Sequence, residues 1–196
     1  MKKKIFLSAL AVVLAAMIAA AGTIAWLSTR SETVKNTFTV GDINITLDEA
    51  KVGEDGKALT PETRVKANNY DLIPGNTYDK DPTVTVLANS EDCWLFVKIE
   101  ELNNDKGYLT YELNLDGWTK LTGETNVWYR EVSSSTSNQS YKLLKNDQIS
   151  VNQDRVDKAA AAAFKENPDT IPSLSFTAYA VQQDNLTVET AWQKVK

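Results

Sequence analysis

Apolar side chains fall mainly at every second position from Phe38 to Val181, and a chain with that period buries them as β-strands. Cys93, Leu95, Val97 and Ile99 line one face of a segment whose other face carries Trp94 and Phe96, before Lys98 and Glu100 reach water. A strand apolar on both faces over half its length belongs inside a sheet rather than at its edge. Leu174, Phe176, Ala178 and Ala180 alternate in the same way with Ser175, Thr177, Tyr179 and Val181. Nearer the N-terminus, Phe38 and Val40 share a face, Gly41-Asp42 shifts the phase, and Ile43, Ile45 and Leu47 continue the alternation. A glycine at such a slip predicts a bulge or bend. Thr83 to Leu87, Tyr108 to Leu115 and Val127 to Val132 are further expected strands. Pro74-Gly75 and Asp116-Gly117 mark turns, residues 48–70 read as a long polar loop, and residues 133–140 read as a soft polar tip.

Two short helices interrupt this pattern. Val156, Ala160, Ala163 and Phe164 recur at helical spacing, with Pro168 just past the end and Asp154 as the expected N-cap. Val188, Ala191, Trp192 and Val195 fall at i, i+3, i+4 and i+7, with Thr187 placed to cap them and Glu189 in the first turn. Many short strands with two or three short peripheral helices predict a mainly β, two-sheet β-sandwich.

The start of the chain reads differently. Lys2, Lys3 and Lys4 precede an apolar run from Ile5 to Ala21, broken only at Ser8 and closed by Gly22-Thr23-Ile24-Ala25. Thr23 and Ala25 are small residues at the spacing of a signal-peptidase site, which places cleavage between Ala25 and Trp26. Sites within Ala19–Ala21 also fit, and an uncleaved signal anchor is the alternative, because the run slightly exceeds a usual signal core. The expected organisation is a signal peptide over 1–25, an N-terminal arm over 26–36 and one sandwich domain over 37–196.

Composition excludes several functions. The formal charge is −5, becoming −8 once the three N-terminal lysines are removed, and no long basic run is present. Neither nucleic acid nor an anionic membrane surface is an expected partner, since both need clustered cations. The membrane is expected to be touched only by the N-terminal segment before cleavage. The chain has no histidine, which excludes Ser-His-Asp and Cys-His catalysis and imidazole zinc sites. With Cys93 as its one cysteine it forms no internal disulfide, so stability must come from core burial or assembly. Cys93 lies in phase with Leu95 and Val97 and reads as a small buried residue. Asp79, Asp81 and Asn76 offer hard oxygens, but they read as turn residues ahead of a strand rather than a calcium loop. Trp94 and Trp192 sit on apolar stripes, leaving Trp118 and Trp128 as the tryptophans able to stack on a sugar. No metal, cofactor or enzymatic activity is expected.

Three stretches together carry a family likeness: Gly22-Thr23-Ile24-Ala25 followed by the Asn36–Leu47 strand; Leu72-Ile73-Pro74-Gly75 through Lys80-Asp81-Pro82-Thr83-Val84 to Trp94-Leu95-Phe96-Val97-Lys98; and Ile171 to Gln182 followed by Ala191-Trp192. In this order they resemble the TasA/camelysin family of exported proteins from Gram-positive bacteria. The resemblance implies a jelly-roll-like sandwich, processing by a SipW-type signal peptidase, and a role in biofilm matrix or cell-surface fibres. In such fibres the N-terminal strand of one subunit can complete a sheet of the next. It also implies a remote alternative, a camelysin-like metalloprotease, for which this chain lacks histidine ligands.

The expectation is therefore a secreted structural subunit that self-associates through an N-terminal segment. That assembly segment comprises Trp26, Leu27, Phe38, Val40, Ile43, Ile45 and Leu47. Trp26 and Leu27, apolar residues freed at a new terminus, need burial somewhere. The alternative is a monomeric secreted or membrane-tethered binding module for glycan or host protein.

Overall fold

The computed structural model describes residues 42–196 and, ahead of them, the backbone of two short strands at 28–30 and 35–36. The strands in chain order are β1 (Ser28–Arg30), β2 (Lys35–Asn36), β3 (Ile45–Ala50), β4 (Arg64–Val65), β5 (Asn69–Asp71), β6 (Thr77–Asp79), β7 (Thr83–Val86) and β8 (Cys93–Leu102). They continue with β9 (Leu109–Thr110), β10 (Thr119–Lys120), β11 (Val127–Val132), β12 (Gln139–Lys142), β13 (Gln148–Val151) and β14 (Ser173–Gln182). Helix α1 (Lys158–Glu166) precedes β14 and α2 (Val188–Gln193) follows it.

The first layer is a sheet in the order β10-β11-β8-β14-β2. Its spine is the antiparallel pair β8–β14, running from Cys93 opposite Gln182 to Leu102 opposite Ser173. Both strands were legible as continuous alternations, and β8, apolar on both faces, takes the interior position its composition predicts. Cys93, Leu95, Val97 and Ile99 of β8, with Leu174, Phe176, Ala178 and Ala180 of β14, are buried in the main core. The opposite face carries Phe96 and Val181, covered by Val188, Ala191 and Trp192 of α2 in a second cluster. The chain is thus a β-sandwich with short helices at its periphery.

The second layer combines the sheets β12-β7-β3-β4 and β6-β13-β9. Lys142 lies opposite Thr83 and Gln148 opposite Asp79, so residues 143–147 of one strand face only 80–82 of the other. The surplus is absorbed in a tight turn at Lys145–Asp147, where Asn146 and Asp147 take φ of 58° and 52°. Leu143 N donates to Pro82 O and Lys80 N to Asp147 O on either side of this bulge, which keeps the two halves in one ladder direction.

Three local expectations need correction. Residues 48–70 are not a continuous loop: β3 extends to Ala50, and β4 and β5 follow. Their polar composition hid these strands, because Glu49 is buried with a cationic partner rather than solvated. The predicted strand from Tyr108 to Leu115 reduces to β9 and a single bridge between Leu113 and Leu144, because the facing strand is the bulged one. The N-cap of α1 is Asp157, which accepts from Ala160 N at 2.8 Å, not Asp154. Val156 is buried just ahead of this cap, and Phe164, the buried residue of α1, meets Tyr108 edge to face at 5.0 Å. For α2 the predicted cap Thr187 is the observed one.

Candidate functional site

Thr23, Ala25 and Trp26, expected at the cleavage site, lie outside the described residues, as do Leu27, Phe38 and Val40 of the expected assembly segment. The remainder of that segment lies within the described fold. Ile43 and Leu47 are buried in the main core, and Ile45 packs against it. Within β3, Ile45 pairs with Val86 and Leu47 with Val84 of β7. Their apolar surface, and the β3 edge that faces β7, are therefore used within the subunit.

Two pairings upstream of Ile43 define the site. Strand β1 runs antiparallel to β5, with Ser28 opposite Asp71 and Arg30 opposite Asn69. Strand β2 lies parallel to β14, with Lys35 opposite Thr177 and Asn36 opposite Ala178. Among the described residues this is the one parallel pairing between strands, and it covers two positions of a ten-residue strand. Strand β14 thus occupies a near-edge position, with only β2 beyond it among the described strands. Parallel pairs are slightly weaker per residue than antiparallel ones, and a two-residue pair holds little. Among the described residues no other strand pairs with that side of β14, which suits it to receive an extended segment.

The other polar residues singled out from sequence are engaged internally. Asp79 accepts from Lys57 Nζ at 3.1 Å and from Ala58 N at 3.0 Å. Burial opposes its charge, but those donors outweigh it and hold the carboxyl below the usual aspartate range. Asp81 accepts from Ala50 N at 2.6 Å and pairs with Arg64 at 2.5 Å. Arg64 also holds Asp48 at 2.9 Å, so one guanidinium ties β4 to the end of β3 and to the chain entering β7. No group of three His, Cys, Asp or Glu side chains among the described residues has the arrangement to hold a metal ion.

Sequence reasoning missed an ion pair inside the sandwich. Glu49, 1% exposed, and Lys80, 5% exposed, meet at 2.9 Å. Glu49 also accepts from Asn68 N at 2.8 Å, and Asn68 reaches Ala50 O at 2.7 Å and Val52 N at 2.9 Å. The signal was phase: Glu49 falls in step with Ile43, Ile45 and Leu47, and Lys80 with Tyr78, Val84 and Val86.

Cys93 is fully buried, and its thiol is pushed up to about 12 by burial and by the neighbouring charge of Asp92. It stays protonated at neutral pH and is no nucleophile there. Trp94 Nε1 donates to Leu186 O at 3.2 Å, and Trp192 Nε1 to Glu124 at 2.7 Å, so both act as structural side chains with satisfied polar ends. Trp118 and Trp128 are half-buried on the β10–β11 side of the first layer. No family model, no curated protein and no solved structure matches this chain.

Proposed function

We propose that this chain is an exported structural subunit that self-associates into extracellular matrix or surface fibres, with residues before Ile43 as the joining segment. The observation that carries this reading is the β14 edge, on which a two-residue parallel strand from the subunit's own N-terminal region is the sole described partner. A weak local pairing is readily exchanged for a longer one with a second copy, because every backbone bond given up is replaced and new apolar surface is buried. The predicted signal peptide and the resemblance to the TasA/camelysin family point the same way. Cleavage between Ala25 and Trp26 by a SipW-type signal peptidase would free Trp26 and Leu27 at the end of the joining segment.

The test compares the chain starting at Trp26 with one also lacking residues 26–36, by electron microscopy and light scattering across concentration and pH. The longer form is expected to give filaments and the shorter one to stay monomeric. A longer form that stays monomeric throughout overturns the proposal.

A further inference from the structure

One charged side chain points into the sandwich with no ionic partner. In β11, Trp128, Arg130 and Val132 lie opposite Val97, Leu95 and Cys93 of β8, all of which are buried in the main core. Arg130 therefore takes a position that the alternation assigns to the inner face. In β12 of the facing layer, Tyr141 lies opposite the buried Val84 and so also faces inward. The Arg130 guanidinium carbon sits 3.9 Å from the Tyr141 ring centre and 5.4 Å from that of Trp118. The two rings meet edge to face at 6.2 Å. Gly117 lets the guanidinium approach, since a Cβ there would stand 3.1 Å from one of its terminal nitrogens. Lys120 lies over Trp128 at 5.8 Å.

The polar accounting is incomplete at this place. Arg130 Nε is buried and has no hydrogen-bond partner among the described residues. No described carboxylate forms an ion pair with Arg130, although the chain as a whole is acidic. Aromatic rings attract a guanidinium, but they accept none of its in-plane N–H groups. The terminal N–H groups of the guanidinium are not among the buried unmatched atoms, and no described carboxylate takes them.

We propose that Arg130, Lys120, Trp118, Trp128 and Tyr141 form a binding patch for a carboxylated sugar, such as a uronate unit of an acidic polysaccharide. The carboxylate would take the two terminal N–H groups of Arg130 end-on, as guanidinium and carboxylate are matched in geometry. The sugar ring would lie against the exposed parts of Trp128 and Trp118, which present apolar faces. Lys120 would supply a second, weaker contact to the neighbouring unit of the polymer. The patch lies on the β10–β11 and β12 side of the sandwich, away from the β14 edge, so the inference does not depend on fibre formation.

The test uses the chain starting at Trp26, which retains every described element, titrated with oligogalacturonate and followed by tryptophan fluorescence and calorimetry. Saturable, salt-weakened binding is expected, with a neutral oligosaccharide of the same length and polyglutamate each about tenfold weaker or more. Arg130→Met is expected to lose binding by about tenfold or more while leaving the thermal midpoint unchanged or higher, because it removes an unmatched buried donor. Arg130→Lys is expected to weaken binding about fivefold, since it keeps charge but loses the planar fork, and Lys120→Gln about twofold to fivefold. The proposal is overturned if oligogalacturonate does not bind, if neutral sugar or polyglutamate binds as well, or if both Arg130 variants bind like the parent. A fall in midpoint of about 5 °C or more for Arg130→Met would also overturn it, by showing that the arginine holds the fold together.

Discussion

Glu49 and Lys80 occupy positions that period-two alternation reserves for apolar side chains, and each is tolerable only because of the other. Two charges withdrawn from water attract strongly enough to offset their desolvation when the remaining polar atoms are also satisfied, as Asn68 does for Glu49 here. Removing one partner leaves the other buried and uncompensated. Glu49→Gln or Lys80→Met is expected to cost about 3–5 kcal/mol in urea unfolding, whereas Glu49→Leu combined with Lys80→Met should recover most of that loss. Cys93 makes a second residue-scale statement. A free thiol ionises near about 8.5, and the folded one near about 12, so the unfolded chain gives up its proton first as pH rises. The stabilisation from the neutral thiol is complete at neutral pH and declines from about pH 8.5 towards 12. Burial also holds Tyr70 and Tyr111 protonated beyond the usual tyrosine range, which extends the alkaline loss. Cys93→Ala should flatten the early part of that decline in unfolding measured across pH. The thiol should also resist a disulfide reagent at pH 8 until the protein is unfolded.

At the scale of elements, much was legible. β8, β11 and β14 stand where their alternation put them, and α2 has its predicted cap. The reason is local: a strand with six or more alternating positions, or a helix with its apolar stripe and cap, states its own boundaries. Helix α1 shows where local reading fails, since Asp154 and Asp157 are both plausible caps by composition. The choice fell to Asp157 because Val156, buried immediately before it, fixes where the helix begins. Asp157→Ala is therefore expected to cost about 1 kcal/mol and Asp154→Ala much less, in thermal or urea unfolding. The bulge between Leu143 and Asp147 was not legible, because a two-residue excess exists only relative to the opposite strand. The strands within 48–70 were hidden for a related reason. Their charges are matched by Arg64, Lys80 and the backbone of neighbouring strands, so a polar segment lies flat in a sheet.

For the whole molecule, the core of the described residues runs from 43 to 192, as the main cluster begins at Ile43 and the second ends on Trp192 with Val195 packed against it. Deleting residues 26–36 removes β1 and β2 and none of the described side chains in either cluster. The shortened chain should keep its near-ultraviolet circular dichroism and unfold within about 1 kcal/mol of the longer one at dilution. A large loss of stability would mean that the N-terminal strands belong to the fold rather than to assembly. Part of the proposed sites was legible at this scale and part was not. Trp118 and Trp128 were the tryptophans that fitted no apolar stripe, but nothing local announced that Arg130 would enter the sandwich between Trp118 and Tyr141.

The period of the apolar residues was enough to establish a β-sandwich, the interior strand β8, both helices and the burial of Cys93. Those properties depend on neighbours one to four positions apart, which any linear reading can see. Pairing depends on partners tens of residues away. Only folding in three dimensions could join Glu49 to Lys80, leave Arg130 without an ionic partner among the described residues, and bring the N-terminal strands to the edges of β5 and β14. It also drew Ile43, Ile45 and Leu47 to the chain's own core, with Ile45 and Leu47 opposite Val86 and Val84 of β7.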